Sequence, residues 1–196
     1  MMLENNYYFF KKAIPIETCN KILKACRTRV SKKAKVSNHK ISNVRKCKVG
    51  LVQEPWIYDI INTFINTANR EAGWNFQWDW NETSQFTIYN KSHYYGWHTD
   101  QHPNPFEDPN QKFKGKIRKL SLTLQLTDKS KYEGGDFQFR WINPQKKDLI
   151  EVRTVEDAKD IGTIIIFPSF MWHQIMPITK GRRESLVNWS IGKEFN

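Results

Sequence analysis

His98 and Asp100 stand two residues apart at the end of the segment Tyr89–Asp100. If that segment ends a β-strand, side chains two residues apart project to the same side, so an imidazole and a carboxylate converge. Such a pair supplies two of the three ligands of a 2-His-1-carboxylate site, which leaves positions on Fe(II) open for a co-substrate and oxygen. Because short motifs of this kind often arise by chance, the interpretation requires a third ligand elsewhere in the chain.

The segment Ile164–Trp189 supplies that ligand and a further group. It contains a buried-looking strand, the turn Phe167-Pro168-Ser169, then His173, and Arg183 ten residues later. We predict His173 as the third ligand. An arginine on the next strand of a barrel could reach inward and bind a carboxylate through its planar fork, as a diacid co-substrate requires. Arg182 is the alternative for this role, and the spacing favours Arg183.

On these motifs the chain resembles the Fe(II)- and 2-oxoglutarate-dependent oxygenases of the prolyl 4-hydroxylase-like group. The resemblance covers most of the chain and is strongest from Phe86 to Trp189. Tyr95, three residues before His98, fits the Tyr-x-x-His-x-Asp form of that group. Two further stretches resemble its central strands and its Gly-Gly turn, namely Arg118-Lys119-Leu120-Ser121-Leu122-Thr123 and Tyr132-Glu133-Gly134-Gly135-Asp136.

The resemblance implies a role for each matching position. The catalytic and iron-binding residues would be His98, Asp100 and His173. The residues that bind 2-oxoglutarate would be Tyr89 and Arg183, which hold its distal carboxylate, with Ser121 and Trp189 as further candidates that shape the pocket. Some members of the group carry Lys in place of Arg183, and Asp136 replaces the usual Glu after the two glycines. Neither departure alters the iron site.

The fold implied is α+β and mainly β: a double-stranded β-helix core of the jelly-roll or cupin-like kind, with N-terminal helices packed on one sheet. We expect one domain over residues 1–196, with residues 1–83 as helical and strand support and residues 84–192 as the β-helix core. The hydrophobic pattern agrees with this architecture, because helical periods come first and short strands follow.

Apolar residues at helical spacing predict one helix over Glu17–Arg29 and another from Glu54 to Ala68, which should cover a sheet. Strict alternation from Trp74 to Trp80 predicts a strand with one buried face. The other predicted strands are Tyr7–Ile14, Ser84–Asn90, Leu120–Thr127, Phe137–Trp141, Leu149–Val152, Gly162–Phe167 and Ser185–Ile191. Gly134-Gly135 predicts a turn.

The chain is basic and rich in aromatic residues. It has 31 Lys and Arg against 20 Asp and Glu, a formal net charge of +11, with 8 Trp, 7 Tyr and 12 Phe. The aromatic content is typical of a folded protein rather than a disordered one. Between Thr18 and Gln53 there are eight Lys and three Arg but no acid, and a second basic cluster spans Lys112–Lys119. Such patches attract anionic partners, although a solvated face is their commonest meaning.

The activity implied by the resemblance is hydroxylation of a peptide or protein side chain, with prolyl as the first choice. Its cofactors would be Fe(II), O2 and the co-substrate 2-oxoglutarate, which yields succinate and CO2, with ascorbate as a bound reductant. The polar, proline-bearing loop His102–Gly115 follows the metal motif and would act as a substrate lid. The basic clusters would guide an acidic peptide toward it.

Two alternative functions stay open. A nucleic-acid demethylase of the same superfamily would suit the positive charge. Such enzymes carry an Arg-x-Asn-x-Thr-x-x-Arg tail that the residues Arg183–Trp189 lack, so we do not expect a nucleic-acid partner. A non-catalytic β-barrel binding module would be expected to have lost a ligand, and none is missing.

The three cysteines, Cys19, Cys26 and Cys47, match neither a zinc motif nor a redox Cys-x-x-Cys. Cys19 and Cys26 fall on the apolar stripe of the first predicted helix, which favours buried, reduced thiols. No stretch approaches the length of a membrane span, and Met1–Lys12 has no apolar core of signal-peptide type. We therefore expect a cytoplasmic protein with no membrane partner.

Overall fold

The computed structural model describes the chain over residues 5–30, 44–107, 113–143 and 149–195. The two predicted helices are confirmed: α1 is Ile16–Arg29 and α2 is Pro55–Glu71. α2 has Pro55 in its first turn, where a missing N–H has no helical partner to lose. Within the described ranges no helix is long and apolar enough to cross a membrane.

The larger of two antiparallel sheets has eight strands. They are β1 Tyr8–Phe10, β3 Lys48–Val52, β4 Trp80–Asn81, β5 Ser84–Asn90, β7 Lys116–Gln125, β8 Tyr132–Gly134, β11 Ile164–Pro168 and β13 Ile178–Lys193. Their order is β1-β11-β7-β13-β5-β3, and β4 and β8 also pair with β13. The long strand β13 therefore runs through the middle of the sheet.

The smaller sheet has five strands and faces the larger one. They are β2 Arg45–Lys46, β6 Tyr94–His98, β9 Phe137–Ile142, β10 Ile150–Thr154 and β12 Trp172–Ile175. Their order is β10-β9-β12-β6-β2, so β10 and β2 are the edge strands.

Two apolar clusters hold these layers together. Both helices pack on the larger sheet, where Ile22 of α1 and Ile61 of α2 belong to one cluster with Phe86 and Leu122. A second cluster, which includes Phe139, belongs to the smaller sheet and the facing strands of the larger one. The observed layers confirm the predicted α+β, mainly β fold with helices on one sheet.

The aromatic ladder from Trp74 to Trp80 is not a strand, so that prediction was wrong over most of its length. Only Trp80–Asn81 pairs, as β4. Asn75 has a positive φ of 51°, and the side chain of Asn69 bonds both the N–H and the C=O of Phe76. A side chain thus takes the backbone groups that a neighbouring strand would need.

Other predicted strands are confirmed with shifted ends. The segment Ser84–Asn90 is β5 without change, whereas β1 is much shorter than Tyr7–Ile14 and β13 begins seven residues before Ser185. The predicted Gly134-Gly135 turn is present, with φ of 75° and 65°. A side chain at Gly134 would meet the carbonyl oxygen of Pro177, so both the backbone shape and the space require glycine.

The basic segment between Thr18 and Gln53 contains structure that composition did not indicate, because β2 and β3 lie within it. Its residues 31–43 lie outside the described ranges, as do residues 108–112 of the predicted lid and Lys112 of the second basic cluster. Cys19 and Cys26 are fully buried, as predicted, and burial raises their pKa values to about 11 and about 12.

Candidate active site

The three predicted ligands meet between the sheets. His98 is the last residue of β6, and His173 on β12 lies directly opposite it in the antiparallel register. Asp100 follows two residues after His98, and its backbone N–H donates to the carbonyl of Ser169, 2.9 Å away. Nε2 of His98 lies 3.7 Å and Nε2 of His173 lies 3.5 Å from the Asp100 carboxylate.

Backbone carbonyls fix the orientation of both imidazoles. Nδ1 of His98 lies 2.7 Å from the carbonyl oxygen of Gly96, and Nδ1 of His173 lies 2.9 Å from that of Met171. A carbonyl can only accept, so each Nδ1 carries the proton and each Nε2 keeps its lone pair. Both lone pairs therefore belong to the nitrogens that face Asp100.

Burial and neighbouring charges set the protonation of this group. Burial and the adjacent His173 lower the pKa of His98 to about 4, so its ring is neutral at pH 7. Burial raises the pKa of Asp100, but His173, His98 and Arg118 lower it by more, so its pKa falls below the ordinary value. Neutral imidazole and ionised carboxylate are the forms that coordinate a metal ion.

These residues fit a metal ion on the chemistry of their donor atoms. One ligand atom from each of His98, Asp100 and His173 lies within 4.8 Å of the other two, and in the described part of the chain these three form the one such cluster of His, Cys, Asp and Glu. Two nitrogens and one oxygen with no thiolate favour iron over the softer metals.

Aromatic rings enclose both histidines. Tyr95 stacks on His98 with ring centres 3.4 Å apart, and Phe167 meets His173 edge-on at 4.6 Å. Phe137 lies parallel to His173 at 5.8 Å. These rings limit the access of water to the two imidazoles.

A cation–π cluster lies on the outer face of the smaller sheet, behind the histidines. The guanidinium of Arg140 on β9 lies 4.7 Å from the ring of Trp97 and 4.4 Å from that of Trp172. Each tryptophan immediately precedes one of the two histidines in sequence. Cation–π contacts of this kind link β9, β12 and β6, which carry the histidines or border them.

Arg183 occupies the opposite wall of the same pocket, on β13. It is 2% exposed, and its Nη1 donates to the hydroxyl of Ser185 at 3.3 Å. Within the described ranges it forms no ion pair with an acid, although a buried guanidinium ordinarily has one. The alternative residue, Arg182, is half-exposed and donates to Glu184 at 2.6 Å. The structure therefore brings Arg183, and not Arg182, into the pocket.

Tyr89 on β5 lies opposite Arg183 in the sheet register, and the guanidinium lies 5.6 Å from its ring centre. Burial raises the pKa of Tyr89, so its hydroxyl stays protonated and can donate a hydrogen bond. Tyr89 and Arg183 both line the pocket that contains His98, Asp100 and His173. The predicted co-substrate residues are thus on one wall and the predicted ligands on the other.

Trp189 also lines this pocket. The guanidinium of Arg118 lies 4.0 Å from its ring centre, and Arg118 also donates to the backbone carbonyl of Asp100 at 3.2 Å. Glu82 holds Arg118 through both carboxylate oxygens. The indole Nε1 of Trp189 is buried and has no hydrogen-bond partner among the described residues. It is therefore a donor available to a bound molecule.

Ser121, a predicted co-substrate residue, is not among the residues that line the pocket, and it hydrogen-bonds the side chain of Asp100 instead. It is fully buried, its hydroxyl is 2.9 Å from that of Ser169, and a hydrogen bond from it helps to lower the pKa of Asp100. Ser169 also accepts the backbone N–H of Asp100 through its carbonyl. The two serines together orient the proposed carboxylate ligand.

Changing Ser121 to alanine is expected to weaken Fe(II) binding about tenfold, because outer hydrogen bonds to ligands of a metal contribute roughly that much. Ser190→Ala is the matched control, since Ser190 is a buried serine that donates to Asn81 instead. Metal titration monitored by quenching of tryptophan fluorescence would measure both affinities. Equal affinities in the two variants would contradict the orienting role of Ser121.

Arg45 and Tyr132 lie at the site but were not predicted from the sequence as site residues. Arg45 on β2 lines the pocket, lies 4.6 Å from the ring of Tyr95 and donates to the Cys47 thiol at 2.9 Å. The Tyr132 hydroxyl accepts from Gln125 at 3.1 Å and lies beside Arg183. Arg45 stood in a run of cations with no pattern to single it out. Tyr132 stood in the Gly-Gly stretch that resembles the family, which was a usable signal.

Comparison with known proteins gives the following matches. The model of the 2OG-Fe(II) oxygenase superfamily matches residues 84–191. A PKHD-type hydroxylase of Synechococcus sp. (strain CC9902) is 38% identical over 95 residues, which are 48% of this chain and 35% of that relative. The chain spans between 35% and 60% of the length of the first curated relatives that it matches.

Two solved structures have the same fold. A Pseudomonas putida prolyl-4-hydroxylase is 16% identical, with a TM-score of 0.67 over 98% of this chain and 95% of that one. A prolyl hydroxylase from Trichoplax adhaerens, in complex with a peptide fragment of the hypoxia inducible factor oxygen degradation domain, is also 16% identical. Its TM-score is 0.67 over 95% of this chain and 84% of that one. At these identities the likeness establishes the double-stranded β-helix fold.

Proposed function

Because the chain belongs to the 2OG-Fe(II) oxygenase superfamily, we propose that it hydroxylates a prolyl side chain of a peptide or protein, with succinate and CO2 as co-products. We place this activity in a single domain over residues 1–196, in which residues 84–192 form the β-helix core and residues 1–83 support it. The family uses Fe(II), O2 and 2-oxoglutarate, and ascorbate is proposed as the reductant.

One juxtaposition carries the proposal. Two imidazole nitrogens and a carboxylate converge on one wall of a buried pocket, and a guanidinium without an acidic partner in the described chain faces them from the other wall. A metal ion and an anionic co-substrate would together satisfy these groups.

We assign roles on this basis. His98, Asp100 and His173 hold Fe(II), and Arg183 and Tyr89 hold the distal carboxylate of 2-oxoglutarate. When bound, the iron and its co-substrate supply the oxidising chemistry. The protein supplies orientation: the carbonyls of Gly96 and Met171 keep each Nδ1 protonated, so that each Nε2 is free for the metal.

Other residues of the chain restrict the reaction to the pocket. Ser121 hydrogen-bonds the side chain of Asp100, and Arg118 donates to its backbone carbonyl. The rings of Phe137 and Phe167 exclude water beside His173, which protects a reactive site from side reactions. Trp189, with its unpartnered Nε1, is proposed to donate a hydrogen bond to the bound co-substrate or substrate.

The proposed substrate class is supported by similarity and by charge. The relative from Synechococcus is a PKHD-type hydroxylase, and both solved structures are prolyl hydroxylases, one of them with a bound peptide. The net charge of +11 favours an acidic peptide through faster encounter.

The test is a product analysis by mass spectrometry. Purified protein with Fe(II), ascorbate and 2-oxoglutarate is incubated with acidic and neutral proline peptides, nucleosides and methylated oligonucleotides. We expect a gain of about 16 mass units on a proline peptide, the mass of one oxygen atom, with equimolar succinate and no reaction without 2-oxoglutarate. Loss of a methyl group from an oligonucleotide would contradict the prolyl assignment. Absence of succinate from every mixture would contradict the activity itself.

A further inference from the structure

The strand β10, Ile150–Thr154, is an exposed edge of the smaller sheet. Among the described residues it pairs with β9 alone. Natural edge strands are usually blocked by proline, a bulge, charged side chains or very short length, because their free N–H and C=O groups recruit other strands. The sequence Ile-Glu-Val-Arg-Thr has no proline, lysine or bulge, and its two charged residues, Glu151 and Arg153, are opposite in sign. Charges of opposite sign repel a second strand only in registers that oppose like charges.

The direction of the free backbone groups follows from the pairing of β9 with β10. The N–H of Asn143 donates to the carbonyl of Leu149, and the N–H of Val155 donates to that of Phe137. These contacts identify hydrogen-bonded pairs at both ends of the hairpin. In an antiparallel ladder such pairs alternate with pairs that exchange no hydrogen bonds.

Counting inward from both ends, Glu151 and Arg153 direct their backbone groups toward β9. The backbone groups of Ile150, Val152 and Thr154 therefore point away from β9, to the open edge. These three residues form a regularly spaced set of donors and acceptors. It is the pattern that a further antiparallel strand requires.

The side chains on this edge are apolar and exposed to water. Ile150 is 58% exposed, Val152 is 55% exposed, and Ile142, which lies opposite Ile150 on β9, is 68% exposed. They share the outer face of the sheet. Clustered exposure of large aliphatic side chains marks an interaction surface rather than a solvated one.

We propose that β10 pairs with β10 of a second copy of this chain, antiparallel and about a two-fold axis at Val152. Val152 then lies opposite Val152 of the partner subunit, and Ile150 lies opposite Thr154 of the partner subunit. Ile150, Val152 and Thr154 are the residues with outward backbone groups. The pairs that they form across the axis therefore exchange both hydrogen bonds. The two smaller sheets become one continuous sheet.

The charges on β10 favour a second copy of this chain as the partner, and they favour this register. With the axis at Val152, Glu151 lies opposite Arg153 of the partner subunit, and symmetry repeats this ion pair. An axis at Glu151 or at Arg153 would oppose like charges and turn the wrong backbone groups inward. Among the described residues Arg153 forms no ion pair within its own chain, and its side chain is exposed. The axis at Val152 is thus the one that pairs all five residues of β10 with β10 of the partner subunit, and the charges opposed in that register are of opposite sign.

The test is sedimentation velocity of the full chain over a concentration series. We expect a dimer for the unaltered protein and a monomer for Val152→Pro, because proline removes the central outward N–H. The N–H of Val152 is not used by β9, so the hairpin survives this change. Val152→Thr keeps the N–H and the branched side chain, and should remain dimeric. Unchanged circular dichroism and succinate formation in Val152→Pro would show that the fold is intact.

A charge exchange tests the register. Arg153→Glu opposes two acids across the axis and is expected to weaken the dimer by about tenfold to a hundredfold. Adding Glu151→Arg restores opposite charges and should restore the dimer. A concentration series up to about 1 mM would detect a dimer with a Kd below that value. A monomer at every concentration in this series would overturn the proposal. A dimer that Val152→Pro leaves unchanged would also overturn it.

Discussion

Replacing His173 by alanine is expected to abolish 2-oxoglutarate turnover, with a loss of about a thousandfold or more. The proposed iron site would keep one imidazole and one carboxylate, and metal ions contribute several kcal/mol to the reactions they assist. Each 1.4 kcal/mol, roughly, is a factor of ten in rate. Because His173 is buried against Phe137 and Phe167, the variant should also lose about 1–3 kcal/mol of folding free energy.

Succinate formation and Fe(II) affinity would be measured together on that variant. His93→Ala is the matched control, because His93 lies in the turn before β6 and does not line the pocket. The control should keep both turnover and iron binding. Retained turnover in His173→Ala, with the control also active, would exclude His173 as an iron ligand.

Replacing Arg183 by alanine should raise the KM for 2-oxoglutarate by about thirtyfold or more while leaving Fe(II) affinity within a factor of about two. Removing one member of a buried charge pair costs about 2–5 kcal/mol, because the other member is left without a partner. In this case the unpaired group would be the distal carboxylate of the co-substrate. The effect on iron should be small, because Arg183 is on the wall opposite the proposed ligands.

Arg182→Ala provides the control for Arg183 within the same strand. Arg182 is adjacent in sequence but binds Glu184 and is half-exposed, so its loss should leave the KM for 2-oxoglutarate unchanged. Arg183→Lys should give an intermediate KM, because lysine keeps the charge but not the planar fork. Equal effects from Arg182→Ala and Arg183→Ala would show that another residue binds the distal carboxylate of 2-oxoglutarate.

Much of the candidate site was predictable because its residues follow local rules. The spacing of His98 and Asp100 puts both side chains on one side of a strand end, and the separation of ten positions from His173 to Arg183 brings the chain across to the facing sheet. The two helices were predictable from their apolar periods. These features depend on residues that are close in sequence, where geometry leaves few choices.

The remaining features depend on partners that are distant in sequence. The ladder from Trp74 alternates like a strand, but Trp74 donates its indole N–H to the carbonyl of Asn5, and no local pattern encodes that contact. Arg45 enters the pocket only because β2 pairs with β6, and its position in a basic run concealed it. Long-range pairing, rather than residue type, decided both cases.

The division of the pocket between two sheets has a consequence for the choice of keto acid. The two proposed histidine ligands are on the smaller sheet, and Arg183 and Tyr89 are on the larger one. The gap between the walls is fixed by packed rings such as Phe137 and Phe167, which do not compress. The separation of the two walls would therefore select the keto diacid by its chain length. We expect a keto diacid one carbon shorter or longer than 2-oxoglutarate to bind less tightly, because it would fit one wall less well.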